Sequence, residues 1–171
     1  FQDRTAAFRR EAGEFRRLNR AGQEIWLQAS YNPVLDRHGR TVKVVKIASD
    51  ITAAKNRAAD HEGQVNAIGR SQAVIEFALD GTILTANENF LKTVGYSLAE
   101  IKGKHHRMFV TPQQRETPAY AAFWAKLNRG EYEAAEYKRI AKGGREVWIQ
   151  ASYNPIVDGA GKPIKVVKFA T

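Results

Sequence analysis

The chain has 171 residues, 43% of them hydrophobic and 26% charged, the make-up of an ordinary globular protein with length for one domain or two small ones. There is no cysteine, which excludes disulfides, zinc–thiolate and iron–sulfur sites, thiol nucleophiles and any chromophore bonded to a thiol. The formal charge of +9 is spread over strings such as KVVK, RRLNR and KRIAKGGR rather than gathered with stacking aromatics, so a solvated basic surface is expected and no nucleic-acid partner.

No apolar run approaches the ~20 residues of a membrane span. The opening FQDRTAAFRREAGEF lacks the apolar centre of a signal peptide. The expectation is a cytoplasmic fragment without direct membrane contact, cut from a longer chain before Phe1.

The first 49 residues are expected to supply a helix remnant and then three strands. EIWLQASYNPVLD, starting at Glu24, is rich in β-formers and lies between the turns RAG and DRHG. The same text returns as EVWIQASYNPIVD from Glu146, so that Trp26 falls on Trp148, Pro33 on Pro155 and Ser49 on Thr171. In the second copy Val147, Ile149, Ala151 and Tyr153 alternate toward a core, while Trp148, Gln150, Ser152 and Asn154 face the other way. A Trp on the polar face, in both copies, suggests that a helix or a partner covers it, or that it packs half-exposed on strand neighbours.

Residues 53–70 are predicted to form a linker helix. Ile51, Ala54, Ala58, His61, Val65 and Ile68 make a short heptad seam that Gly63 and Gly69 weaken, and the seam is expected to pair with a second copy. AVIEFALDGTILTAN then reads as a hairpin around Asp80-Gly81. Short helices follow. Ser97 with Glu100 forms a capping box, and Thr111-Pro112 and Thr117-Pro118 each place a cap before a first-turn Pro. The helix through AYAAFWAKLNRG stops at Gly130. Three strands close the chain. The order implies an α+β fold, an antiparallel sheet with short helices on one face.

The strings DGTILTANENFLKTVGYSLAEIKGK, FWAKLNRGE and KGGREVWIQASYNPI together resemble a PAS domain. The resemblance covers 71–171 as a complete domain and 1–52 as the C-terminal part of an earlier one, with SDIT at Ser49–Thr52 similar to the motif that ends such domains. It is most similar to tandem PAS modules of bacterial methyl-accepting chemotaxis receptors of the aerotaxis and biofilm-dispersion types.

That resemblance implies a five-stranded sheet enclosing a pocket for haem, flavin or a small metabolite. It also implies a non-enzymatic sensory role, a homodimer, and a downstream signalling domain acting on chemotaxis proteins. An empty relay or dimerisation module, or the regulatory part of a sensor kinase or diguanylate cyclase, are the alternatives.

Candidate pocket residues follow the same resemblance. KHHRMF lies where haem-binding relatives draw an axial ligand, and His106 is preferred over His105 for haem iron, near the pocket mouth. Trp124 corresponds to a Trp of the flavin (FAD) binding aerotaxis group, although VTPQQRE departs from that group's run and no distal Trp for haem is evident on the last strand. Asn87 and Asn89 would be helix caps or pocket polar groups. Ile149 and Tyr153, on the inward row, would line the pocket.

The first copy alone leaves Ile25, Leu27, Ala29, Tyr31 and Val45 facing water. Either the missing half precedes Phe1, or the strands exchange between molecules by a domain swap.

Overall fold

In this computed structural model the described residues are 9–171. The helix remnant expected at the start lies outside them. The chain divides into two compact units, one reaching Gln64 and the other Val65–Thr171.

In the first unit β1 (Glu11–Leu18), β2 (Glu24–Leu35) and β3 (Thr41–Asp50) form an antiparallel sheet in that order. Its turns are built by side chains that accept backbone N–H groups. Asn19 takes those of Ala21 and Gln23, and Asp36 those of His38 and Arg40. After β3, Asp50 accepts the N–H of Thr52, and the Thr52 hydroxyl accepts that of Trp26. Strand β2 is thereby tied to the start of α1 (Thr52–Ser71).

In the second unit β4 (Ala73–Phe77) and β5 (Ile83–Ala86) make the expected hairpin. Then come α2 (Glu88–Val94), α3 (Leu98–Ile101), a 3-10 turn (His106–Phe109), α4 (Pro112–Arg115) and α5 (Pro118–Asn128). Strands β6 (Glu133–Ile140), β7 (Glu146–Val157) and β8 (Pro163–Ala170) complete a five-stranded sheet of order β5-β4-β8-β7-β6. The caps are those the sequence implies. The Ser97 N–H and hydroxyl donate to Glu100, and Thr111 and Thr117 accept from Gln114 and Tyr120.

The core lies between sheet and helices. Ile75, Phe77, Ile149, Ala151, Tyr153 and Val166 from strands meet Phe90, Val94, Ile101, Phe109, Trp124 and Leu127 from the helical side. Burying one such side chain stabilises by roughly 1.5–3 kcal/mol.

Gly81 sets how closely the hairpin tip approaches. Its φ is +87°, and a Cβ there would lie 2.7 Å from His105 Nε2 and 2.9 Å from the Trp124 ring. Only glycine meets both demands.

The two polar-face tryptophans part ways. Trp148 is 69% exposed, neither covered by a helix of its unit nor half-exposed. Trp26 is partly buried, with Lys55 of α1 5.2 Å over its ring and ion-paired to Glu14 at 2.6 Å.

Candidate functional site: a buried basic and aromatic cluster

Strand alternation sends one side chain in two inward. On β8 the inward row is Val166, Lys168, Ala170, so a lysine stands where a core residue belongs, and it is 2% exposed. Its strand partner is Tyr153 of β7, fully buried. The ammonium lies 5.0 Å from the Tyr153 ring and 5.5 Å from that of Phe90, within cation–π range. Arg139 of β6 is 7% exposed and stacks 4.4 Å over Tyr137.

His106 arrives from the helical side. The 3-10 turn presents it, and its N–H donates to Gly81 O at 2.8 Å, so the β4–β5 tip fixes its position. The ring is buried, not at a pocket mouth as the sequence suggested. Nδ1 is 2.9 Å from the Tyr120 hydroxyl and Nε2 is 3.0 Å from that of Tyr153, which also accepts from Arg139 Nη2 at 3.2 Å.

One arrangement of protons gives the buried Tyr153 hydroxyl an acceptor as well as a donor. Arg139 donates to Tyr153, Tyr153 donates to Nε2, and Nδ1–H donates to Tyr120. Burial, then the nearby charges of Arg139 and Lys168, pushes the imidazole well below its ordinary pKa, which keeps it neutral. Burial and Arg139 likewise push Lys168 far down. Burial raises the phenols, Tyr137 to about 12.

Among the described residues no carboxylate pairs with Arg139 or Lys168. Trp124 Nε1, Tyr137 Oη and Arg139 Nε are buried without a partner. A buried guanidinium and a buried lysine amine without a carboxylate partner are a costly arrangement that structural packing alone does not call for.

The other candidates fall around this cluster or outside it. Ile149 and Trp124 are buried in the core. His105 is half-buried, accepts the Arg107 N–H on Nδ1 and meets Trp124 edge-on. Asn87 and Asn89 do not reach the core. The Asn87 carbonyl accepts from Val74 and Phe90, its amide donates to Gly69 and Gln72, and Asn89 donates to backbone carbonyls of the same segment. They hold the end of α1 against β4 and cap α2.

Sequence reasoning missed Arg139 and Lys168. A signal was present: both recur in the repeat, as Arg17 and Lys46, around the repeated Tyr31 and Tyr153.

The packing can be tested against the two expected prosthetic groups. Haem iron needs a free imidazole nitrogen, and both nitrogens of His106 are held by phenols. Phe77, Trp124, Tyr120 and Tyr153 ring it at centroid distances of 5.3 to 5.8 Å. The cavity between Arg139 and Lys168 measures about 10 Å³, the space of one water. Neither a porphyrin nor an isoalloxazine fits these residues as packed.

An antiparallel five-stranded sheet that folds short helices over a polar cluster in its core is the form of a sensory α+β domain. The chain belongs to the PAS family: the PAS fold model matches residues 83–170 and a second PAS domain model matches residues 1–53. It is 48% identical over 160 residues to the biofilm dispersion protein BdlA of Pseudomonas aeruginosa, covering 94% of this chain and 38% of that one. To the aerotaxis receptor of Escherichia coli it is 33% identical over 79 residues, 46% of this chain and 15% of that one. The chain thus spans less than half the length of either relative.

Among solved structures, a light-oxygen-voltage domain studied with a flavin analogue superposes with TM-score 0.54 at 25% identity, over 64% of this chain and 83% of that one. A PAS domain from Colwellia psychrerythraea gives 0.56 at 21%, over 64% and 93%.

Proposed function

We propose that the chain is a sensing and relay section of a chemoreceptor-like transducer, in which the core of the second unit perceives a small-molecule cue and β8 passes the response on. The observation that carries this reading is the pair of buried basic side chains without a carboxylate partner, Arg139 and Lys168, the second of them on β8. The first unit supplies the continuation: there the equivalent strand β3 runs directly into α1. A change in how Lys168 is held would shift β8 and whatever follows it, as β3 is continuous with α1. The exposed apolar residues of α1, Val65 at 68% and Ile68 at 41%, suit pairing of the helix in a homodimer. Chemotaxis proteins downstream, a cytoplasmic setting and a non-enzymatic role belong to the same reading, which the similarity to BdlA and the aerotaxis receptor supports. No described helix is long and apolar enough to cross a membrane.

Flavin as the cue-bearing group is supported by the light-oxygen-voltage neighbour and by the aerotaxis group's Trp, and opposed by the filled core. The visible spectrum of the purified protein decides it. A second reading, an empty relay module, is favoured by that same filled core. The two readings separate in the intact transducer. With K168M and H106Q, output is expected to stop responding to stimulus while the protein stays folded. An unchanged response in both variants would count against sensing in this core.

A further inference from the structure

We infer that the exposed face around Trp148 and Glu136 is a docking seat for the first turn of a helix that carries a lysine, supplied by the stretch that follows β8 in the intact transducer. The inference is independent of what the core of the second unit perceives.

The first copy shows how such a seat is used. Lys55, in the first turn of α1, lies 5.2 Å over the Trp26 ring and 2.6 Å from the Glu14 carboxylate. The main chain of Trp26 is engaged as well. Its N–H donates to the Thr52 hydroxyl at 2.8 Å, and its carbonyl accepts the Ile51 N–H at 2.8 Å. Ring, carboxylate and strand backbone together clamp the start of α1.

The second copy presents the same groups in the same register. Glu14 faces Gln28 as Glu136 faces Gln150, and Arg16 faces Trp26 as Lys138 faces Trp148. The flanking ion pair recurs too, Arg16–Glu24 at 3.2 Å and Lys138–Glu146 at 2.6 Å. Yet Trp148 is 69% exposed. Among the described residues no cation lies over its ring, and none pairs with the exposed Glu136.

The backbone points the same way. Gln150 exchanges both of its main-chain bonds with Thr171, at 3.1 and 3.0 Å. Alternation along an antiparallel strand then turns the N–H and C=O of Trp148 to the same side, just past the end of β8. That is where α1 meets Trp26 in the first copy.

The occupant follows from chemistry and reach. A lysine stem lies along an indole while its ammonium meets a carboxylate at the rim. In the first copy β3 ends at Asp50 and α1 begins at Thr52, so a helix that follows its strand directly lands on the tryptophan. The chain spans 38% of BdlA, which leaves length for such a helix. The α1 of a second copy suits the seat less well, because its Thr52 and Lys55 are already engaged with Trp26.

The test is hydrogen exchange at the Trp148 amide, read by mass spectrometry on the 171-residue chain and on the intact transducer. Exchange is expected to be about ten-fold slower or more in the intact transducer, where the amide gains an acceptor. E136Q, an exposed and nearly isosteric change, should speed it about three-fold there. E14Q in the 171-residue chain calibrates the effect, with a similar acceleration expected at the Trp26 amide.

Equal exchange at Trp148 in the two proteins would overturn the inference. Slowing that E136Q leaves untouched would remove the lysine from the seat. Slowing that grows with protein concentration would put a second copy there instead of the following helix. An unchanged Trp26 amide in E14Q would show that the clamp has no hold on α1, and the inference drawn from it would fall. The readout is an amide and not signalling output, so a core that senses nothing leaves the result as it is.

Discussion

The two copies of the repeated strands share a register but not an environment. Glu11 pairs with Tyr31 as Glu133 pairs with Tyr153. Yet Tyr153, Lys168 and Arg139 are buried, while Tyr31 is half-buried and Arg17 and Lys46 are exposed. The chemistry diverges accordingly. Burial raises the pKa of Tyr153, whereas Arg17, and then Lys46, lowers that of Tyr31. The same three residue types on the same strands thus give opposite shifts. Strand text sets which side chains stand together; the helices packed over them set whether those side chains meet water.

Paired substitutions at equivalent positions can break that contrast. The largest effect is expected at the tyrosines. Y153A removes a fully buried ring and the hydrogen bonds to His106 and Arg139, and should destabilise the second unit by about 3–5 kcal/mol. Y31A should destabilise the first by about 1 kcal/mol or less. Urea unfolding followed by amide signals of each unit measures both, and equal losses would mean that the burial difference has no energetic consequence.

Glycines give the next contrast. Gly81 and Gly22 both have positive φ, but a Cβ at Gly22 meets nothing within 4 Å. G22A should therefore show backbone strain alone, roughly 1–2 kcal/mol. G81A should lose more, about 3 kcal/mol, because contact with His105 and Trp124 is added. Thermal denaturation of the two variants tests this.

Lysines should reverse the sign. K168M replaces a buried amine that has no carboxylate partner with an apolar side chain of similar length and is expected to stabilise by about 1–3 kcal/mol. K46M, at an exposed position, should stay within about 0.5 kcal/mol of the parent. Loss of stability in K168M would indicate that the ammonium has a partner after all.

The smallest effect is a pH dependence. The His106 pKa is depressed when folded, so the unfolded chain binds a proton that the folded one refuses. Stability therefore falls as pH drops below the ordinary value of 6.5. His105, also lowered by burial, adds the same sign. H106Q should flatten the profile below that pH, and an unchanged profile would place the acid sensitivity elsewhere.

The succession of strands and helices along the chain, the hairpin at Asp80-Gly81, the caps at Ser97, Thr111 and Thr117 and the inward row of β7 were all legible in the sequence. Each is a local matter of side-chain period, turn residues or a hydroxyl beside a first-turn Pro. The family was legible for the same reason, since its marks are contiguous strings. The buried basic and aromatic cluster was not. His106 and Tyr153 were singled out separately, but nothing local joins residues 47 positions apart through one imidazole nitrogen.

Arg139 and Lys168 were passed over as solvated basic residues, the usual fate of such side chains on strands. What buried them is the cover of α2, α5 and the 3-10 turn. The sequence by itself determined which side chains of a strand share a face and where its hairpins turn, because both follow from alternation and turn residues. Only the tertiary structure decided that β4 pairs with β8 and which faces are dry, because desolvation depends on what packs above a strand and not on the strand itself.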